Sequence, residues 1–219
     1  RIKNFIHKTP VLKSESINKI AGCFVYFKCE NFQKMGAFKM RGASNALLQL
    51  SESERQLGVT THSSGNFGQA VALSAKLSQT TATIIMPSNA PNVKKEAVKG
   101  YGASVIECEP TLEARETTAN EFVNKTGASF LHPYNCYDVI AGNSTATIEL
   151  LEQTKNLDSI IAPVGGGGLI SGTALAATYF SQAKVYGAEP DGADDAFRSF
   201  KKGEIIPMIN PNTIADGLR

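Results

Sequence analysis

The chain has 219 residues, a net charge of +2 from 22 Lys+Arg against 20 Asp+Glu, and is 42% hydrophobic and 19% charged. This composition excludes a disordered or collagen-like chain, and the near-zero charge gives no electrostatic reason to expect nucleic acid or an anionic membrane as partner. No apolar run reaches the roughly 18 residues that a bilayer span needs. In chain order, residues 23–29 (CFVYFKC) are aromatic and β-branched and predict a strand. A glycine-containing loop follows over 33–38. Ala and Leu at helical spacing then predict a helix over 40–50. Short apolar strands are expected at 58–61, 82–86, 104–108, 129–132, 160–164 and 184–188, with helices at 67–77, 112–125, 139–152 and 169–180. Gly127 follows the helix at 112–125 as its C-cap. Strands alternating with helices of this length imply right-handed βαβ crossovers and mostly parallel sheets.

The four cysteines, Cys23, Cys29, Cys108 and Cys136, form no CxxC pair. They read as reduced thiols of a cytosolic protein, not as a disulfide or zinc framework. No secretory pattern opens the chain. It starts at Arg1 and not at Met, so a preceding piece is expected.

In open α/β folds ligands bind at the carboxyl ends of strands, where loops lead into helices. Three such loops invite chemistry. The first is Gly165, Gly166, Gly167 and Gly168, after an apolar strand and before an Ala-rich helix. Consecutive glycines leave bare backbone N–H groups at a helix N-terminus, which suits a phosphate. A tight turn with close helix–strand packing is the alternative. Ile170 and Ser171 stand where a dinucleotide fingerprint needs its third glycine, and no Gly-Lys-Ser/Thr follows. The second loop is Ser63-Ser64-Gly65-Asn66-Phe67-Gly68, which suits a substrate carboxylate. Ser and Asn at a helix start are also ordinary N-caps, and the loop alone favours that simpler role. The third is Lys39, between Phe38 and Met40. Desolvation turns such an amine into a nucleophile toward carbonyls, although a lone lysine at a helix start is usually just solvated.

A phosphate cradle, a carboxylate loop and a carbonyl-reactive lysine together are what a pyridoxal-phosphate enzyme for amino acids needs. The wording and order match as well. The chain resembles the fold-type II pyridoxal-phosphate enzymes, in the serine racemase and serine/threonine dehydratase branch. The resemblance runs from Thr9-Pro10-Val11-Leu12 through Phe27-Lys28-Cys29-Glu30-Asn31-Phe32-Gln33 and Gly36-Ala37-Phe38-Lys39-Met40-Arg41-Gly42-Ala43. It continues through Ser63-Ser64-Gly65-Asn66, Val139-Ile140-Ala141-Gly142 and the glycine loop to Thr213-Ile214-Ala215-Asp216-Gly217.

The resemblance implies a fold of two three-layer α/β domains with mostly parallel sheets, of the tryptophan synthase β kind, with the cofactor in the cleft between them. It implies a large domain from 1–57 and 141–219 and a small mobile domain from 58–140. Lys39 is implied to attach covalently to the cofactor and Phe38 to support its ring. Asn66 is implied to bond the ring's phenolic oxygen, and Gly165 to Gly168 its phosphate. Ser63, Ser64, Gly65 and Asn66 are implied to hold the substrate carboxylate. Lys39 and Ser64 are implied to serve the two faces of the substrate Cα. The implied activity is racemisation of serine with elimination to pyruvate and ammonia. The alternatives are a threonine/serine or 3-hydroxyaspartate dehydratase, or an inactive ligand-binding module of the same fold.

A cation site is implied at Glu189, the Ala193 carbonyl and Asp195. Hard oxygen ligands there suit Mg²⁺ or Ca²⁺. Spacing alone favours an acidic turn in which Asp194 or Asp195 caps the next helix. An ATP effector site is implied at Gln69, Ala97 and Tyr101, and a homodimer as the assembly. Two departures stand out. Phe67 occupies a position where many relatives carry His, which puts substrate preference in question. Family members also run on well past the Ala-Asp-Gly motif, so a longer protein is expected, with the group that contacts the pyridine nitrogen beyond Arg219.

Overall fold

The structure is a computed structural model that describes residues 1–218. Strands β1 (Val11–Lys13) and β2 (Tyr26–Lys28) pair antiparallel, with Leu12 opposite Phe27. Between them lies helix α1 (Glu15–Ala21), started by the Ser14 side chain and ended by Gly22 at φ 67°. Helices α2 (Lys39–Gln49) and α3 (Glu52–Leu57) follow. A capping box between Ser51 and Glu54 starts α3, satisfying orphan N–H groups at both ends of one turn.

An alternating series comes next: β3 (Val59–His62), α4 (Asn66–Leu77), β4 (Ala82–Pro87), α5 (Asn92–Gly100), β5 (Ser104–Cys108), α6 (Leu112–Thr126) and β6 (Ser129–Phe130). Its strands form one parallel sheet in the order β5-β4-β3-β6. Every residue of β3 is buried, as expected of a parallel strand covered on both faces. The chain moves outward from β3 to β4 to β5, then returns to β6 on the other side of β3. Right-handed crossovers therefore put α4 and α5 on one face and α6 on the other. The reversal makes β3 and β6 the topological switch point, and a crevice opens beyond their carboxyl ends.

The chain continues through α7 (Tyr137–Gln153), β7 (Ser159–Pro163), α8 (Gly168–Phe180), β8 (Lys184–Ala188) and α9 (Asp195–Lys202). Strands β7 and β8 are parallel, with Ile161 opposite Tyr186. Helix α2 packs against both α4 and α7, and α7 against α8. The α2–α7 crossing is backbone to backbone, since a Cβ on Gly142 would lie 2.4 Å from the Arg41 carbonyl oxygen.

The expected parallel sheets and all the expected strands and helices are present. Gly127 does cap α6, at φ 73°. The strand expected over 23–29 shortens to Tyr26–Lys28. Elements α1, α3, α5, α9 and β1 are additions. Helix α5 buries only Lys95 and Val98, so few apolar residues mark it in the sequence. The helix at 195–202 has its start where an acidic turn was read.

Candidate active site

Lys39 opens α2 from the half-buried segment that follows the Met35–Gly36 turn. Its Nζ donates to the Pro133 carbonyl at 3.0 Å. It also lies 5.2 Å from the Phe38 ring centroid and 5.6 Å from that of Phe67. No carboxylate pairs with it among the described residues. Burial lowers its pKa to about 8. Desolvation without a compensating anion is what favours the neutral, nucleophilic amine.

Phe67 is 2% exposed and belongs to the main core. Its ring is turned to the Lys39 amine. A histidine here would bring a second ionisable group to the amine; a phenyl ring brings none.

The Ser63–Asn66 loop leaves the carboxyl end of β3, at the switch point. Its side chains are not spent on the helix. Gly65 occupies the N-cap of α4, and no side chain caps it. Ser63 Oγ accepts from the Gly65 N–H at 3.3 Å. Asn66 is exposed, and Ser64 and Gly65 are half-buried. The first-turn N–H groups of α4 have no side-chain cap, and a Cβ on Gly65 would meet nothing within 4 Å, as a carboxylate site needs.

The glycine loop leaves β7 and enters α8. Gly167 forms the N-cap at φ 82°, and no side chain caps this helix either. A left-handed residue leading into a right-handed helix can gather successive N–H groups into an anion-binding nest. Part of the glycine requirement is packing. A Cβ on Gly166 would lie 2.3 Å from Tyr134 Cδ1, and one on Gly168 3.1 Å from Tyr134 Cα. The glycines thus admit Tyr134, and they leave the start of α8 without a side-chain cap.

The Pro133–Tyr134 dipeptide joins the two halves. Pro133 accepts from Lys39, and the next residue lies against Gly166. His132 shapes this turn, its Nδ1 accepting from the N–H groups of Tyr134 at 3.3 Å and Asn135 at 2.9 Å. Accepting two bonds leaves Nδ1 without a proton. Burial lowers the His132 pKa, the nearby Glu116 opposes that, and Lys39 lowers it further. Sequence reasoning missed all three residues. The available signal was their place just after β6, a strand end at the switch point.

Arg41 was read only as part of a motif. It is 0% exposed and donates to Glu30 at 2.7 and 2.8 Å and to Glu149 at 2.8 and 2.9 Å. Burial alone would raise the Glu149 pKa, but bonds from Arg41 and Lys28 overcome it and hold the carboxyl low. Two forks on one guanidinium fix the first turn of α2, and that turn carries Lys39.

At the acidic turn, Glu189 accepts from the N–H groups of Ala196 at 3.0 Å and Phe197 at 2.7 Å. Glu189 thus does the capping first ascribed to Asp194 or Asp195. Asp194 pairs with Arg198 at 2.8 Å. Ala193 is buried, and Asp195 is half-buried. Among the described residues no three His, Cys, Asp or Glu side chains cluster as a metal site. Gln69 lies on α4, Ala97 on α5 and Tyr101 at the end of α5, and the two helices pack together. Among the described residues no helix is long and apolar enough to cross a membrane.

A desolvated amine beside flat aromatic rings, a bare backbone nest and a hydroxyl-rich loop fit pyridoxal phosphate. The fold and the site define a pyridoxal-phosphate enzyme: the model of the pyridoxal-phosphate dependent enzyme family matches residues 2–219, and the chain belongs to that family. Within it, the chain is 51% identical over 221 residues to a serine racemase of Dictyostelium discoideum, covering all of this chain and 68% of that protein. It is 47% identical to a β-hydroxyaspartate dehydratase of Paracoccus denitrificans, covering all of this chain and 70% of that protein. The solved structure of maize serine racemase superposes with a TM-score of 0.98 at 48% identity, over 100% of this chain and 67% of that one. The chain thus spans about two thirds of the length of these relatives.

Proposed function

We propose that this protein interconverts L- and D-serine with pyridoxal phosphate and, from the same site, converts serine to pyruvate and ammonia. The observation that carries this reading is the Lys39 amine, half-buried, unpaired with any acid among the described residues and depressed to about 8. The serine racemase relatives supply the substrate. Lys39 holds the cofactor, Phe38 lies beside its ring, Asn66 meets its phenolic oxygen, and the N–H groups of Gly165 to Gly168 take its phosphate. Bound there, the cofactor supplies an electron sink that acidifies the substrate Cα–H.

The chain's own groups do the rest. Ser63, Ser64, Gly65 and Asn66 grip the substrate carboxylate with hydroxyls and helix N–H groups. Lys39 Nζ moves a proton on one face of Cα and the Ser64 hydroxyl on the other. Residues 58–140, which carry Ser64, close over the substrate as a small domain against 1–57 and 141–219 and exclude water. When the β-hydroxyl leaves as water, hydrolysis of the released enamine gives pyruvate and ammonia. A divalent cation at Glu189, the Ala193 carbonyl and Asp195, ATP near Gln69, Ala97 and Tyr101, a homodimer and a cytosolic setting complete the reading. The unpaired thiols of Cys23, Cys29, Cys108 and Cys136 accord with the last.

The Paracoccus relative favours a second reading, dehydration of 3-hydroxyaspartate. The two separate when the full chain is incubated with L-serine and, in parallel, L-threo-3-hydroxyaspartate, and enantiomers and keto acids are resolved. D-serine appears under the first reading. Pyruvate without any D-serine sinks the racemase reading. Absence of a borohydride-trapped pyridoxyl group on Lys39 leaves a ligand-binding module of the same fold.

A further inference from the structure

Helix α7 touches both halves of the site without supplying either. Its Asn143 is 0% exposed. Asn143 Nδ2 donates at 3.3 Å to the carbonyl of Gly168, the first residue of α8. Its Oδ1 has no hydrogen-bond partner among the described residues. That oxygen stands where a Cβ on Gly42 would be 2.6 Å away. Gly42 lies on α2, one turn after Lys39. One buried amide is therefore caught between the helix that carries the lysine and the helix that follows the glycine loop.

The surroundings leave it no slack. Helices α2 and α7 meet at Gly42 and Gly142. Helices α7 and α8 meet at Gly172, whose Cβ would lie 2.7 Å from the Ile140 carbonyl oxygen. A buried oxygen without a partner costs about 1–3 kcal/mol, so an apolar residue of this size would pack here with less penalty. The bond to Gly168 is what offsets it. Carbonyl and N–H point in opposite directions across one rigid peptide plane. Holding the Gly168 carbonyl toward α7 fixes the peptide plane that it shares with the Leu169 N–H, at the point where the glycine loop enters α8.

We propose that Asn143 is a positioning residue that sets the aim of the glycine-loop N–H groups relative to Lys39 Nζ. The proposal rests on the reading that this loop holds the cofactor's phosphate. The test uses the full chain, freed of cofactor, and compares dissociation constants for pyridoxal phosphate and for pyridoxal, which lacks the phosphate. If the unmodified protein does not prefer pyridoxal phosphate, the phosphate reading fails before Asn143 is touched. Given that preference, Asn143→Leu weakens pyridoxal phosphate about tenfold, the order of one lost hydrogen bond. Pyridoxal stays within about twofold, as expected of a site that does not sense the amide. Equal weakening of both ligands, or of neither, makes Asn143 a packing residue and overturns the proposal. Asn143→Ala and Asn143→Ser leave a void in place of a branched side chain. Read by the same ratio, they decide the matter where Asn143→Leu does not fold.

Discussion

The Lys39 ammonium is held by the carbonyl of Pro133, at 3.0 Å, and not by a carboxylate. A neutral dipole orients the amine without stabilising its charge as an anion would. The pKa therefore stays depressed, at about 8, by burial. Below that pH the amine is protonated and unreactive; above it the free base attacks a carbonyl. Reaction of cofactor-free protein with pyridoxal phosphate should rise with pH to half its maximum near 8. Borohydride trapping followed by peptide mapping should place the adduct on Lys39, and Lys39→Met should abolish it. A midpoint near 10.5, the ordinary lysine value, would show a solvated amine.

Gly166 is closed to any side chain by Tyr134. Gly166→Ala should weaken pyridoxal-phosphate binding at least tenfold, because either the ring or the loop must move to clear a contact of 2.3 Å. Tyr134→Ala removes the obstacle, so the double variant should bind better than Gly166→Ala alone. Titration of the visible absorbance of the lysine-linked cofactor gives the coupling. Additive losses would mean that Tyr134 is not what excludes the Cβ.

Arg41 is buried between Glu30 and Glu149. Arg41→Met leaves Glu30 without its cation and Glu149 with Lys28 alone, and should cost about 3–5 kcal/mol in urea unfolding. Arg41→Lys keeps the charge but loses the double fork, and should recover only part of that loss.

Ser64 has a half-buried hydroxyl at the mouth of α4. Ser64→Ala should lower interconversion of the serine enantiomers by about 10²–10⁴-fold, the usual worth of a positioned acid or base. Elimination from the enantiomer whose Cα–H faces Lys39 should fall less. Equal loss of both activities would remove Ser64 from proton transfer.

Glu189 serves α9 through the N–H groups of Ala196 and Phe197. Addition of EDTA should lower both activity and melting temperature if the cation is bound, and Asp195→Ala should make the protein insensitive to it. Unchanged values with EDTA remove Glu189 and Asp195 from the ligand set.

Legibility in the sequence followed the strength of local signals. Helix α6 ended at Gly127 as read, because a left-handed C-cap is written in one residue. Helix α3 was passed over although Ser51 and Glu54 spell its capping box, because six residues show no period. Spacing alone put the cap of α9 on Asp194 or Asp195, whereas Glu189 is the residue that accepts from its N–H groups. Its bonds reach seven and eight residues along the chain, beyond any local capping pattern.

The residue types and their order were enough to establish the alternating α/β plan, the three loops worth attention, and the family. Those depend on short-range chemistry: apolar period, turn residues, and motifs a few residues long. What only packing decided is how the loops meet. Pro133 and Tyr134 come between lysine and nest because β6 returns beside β3, 70 residues after it in the chain. Asn143 reaches both α2 and α8 because glycines at the crossings let three helices close to backbone contact. A side chain's partner across such distances is set by topology and by the space its neighbours leave, and neither is written at the residue itself.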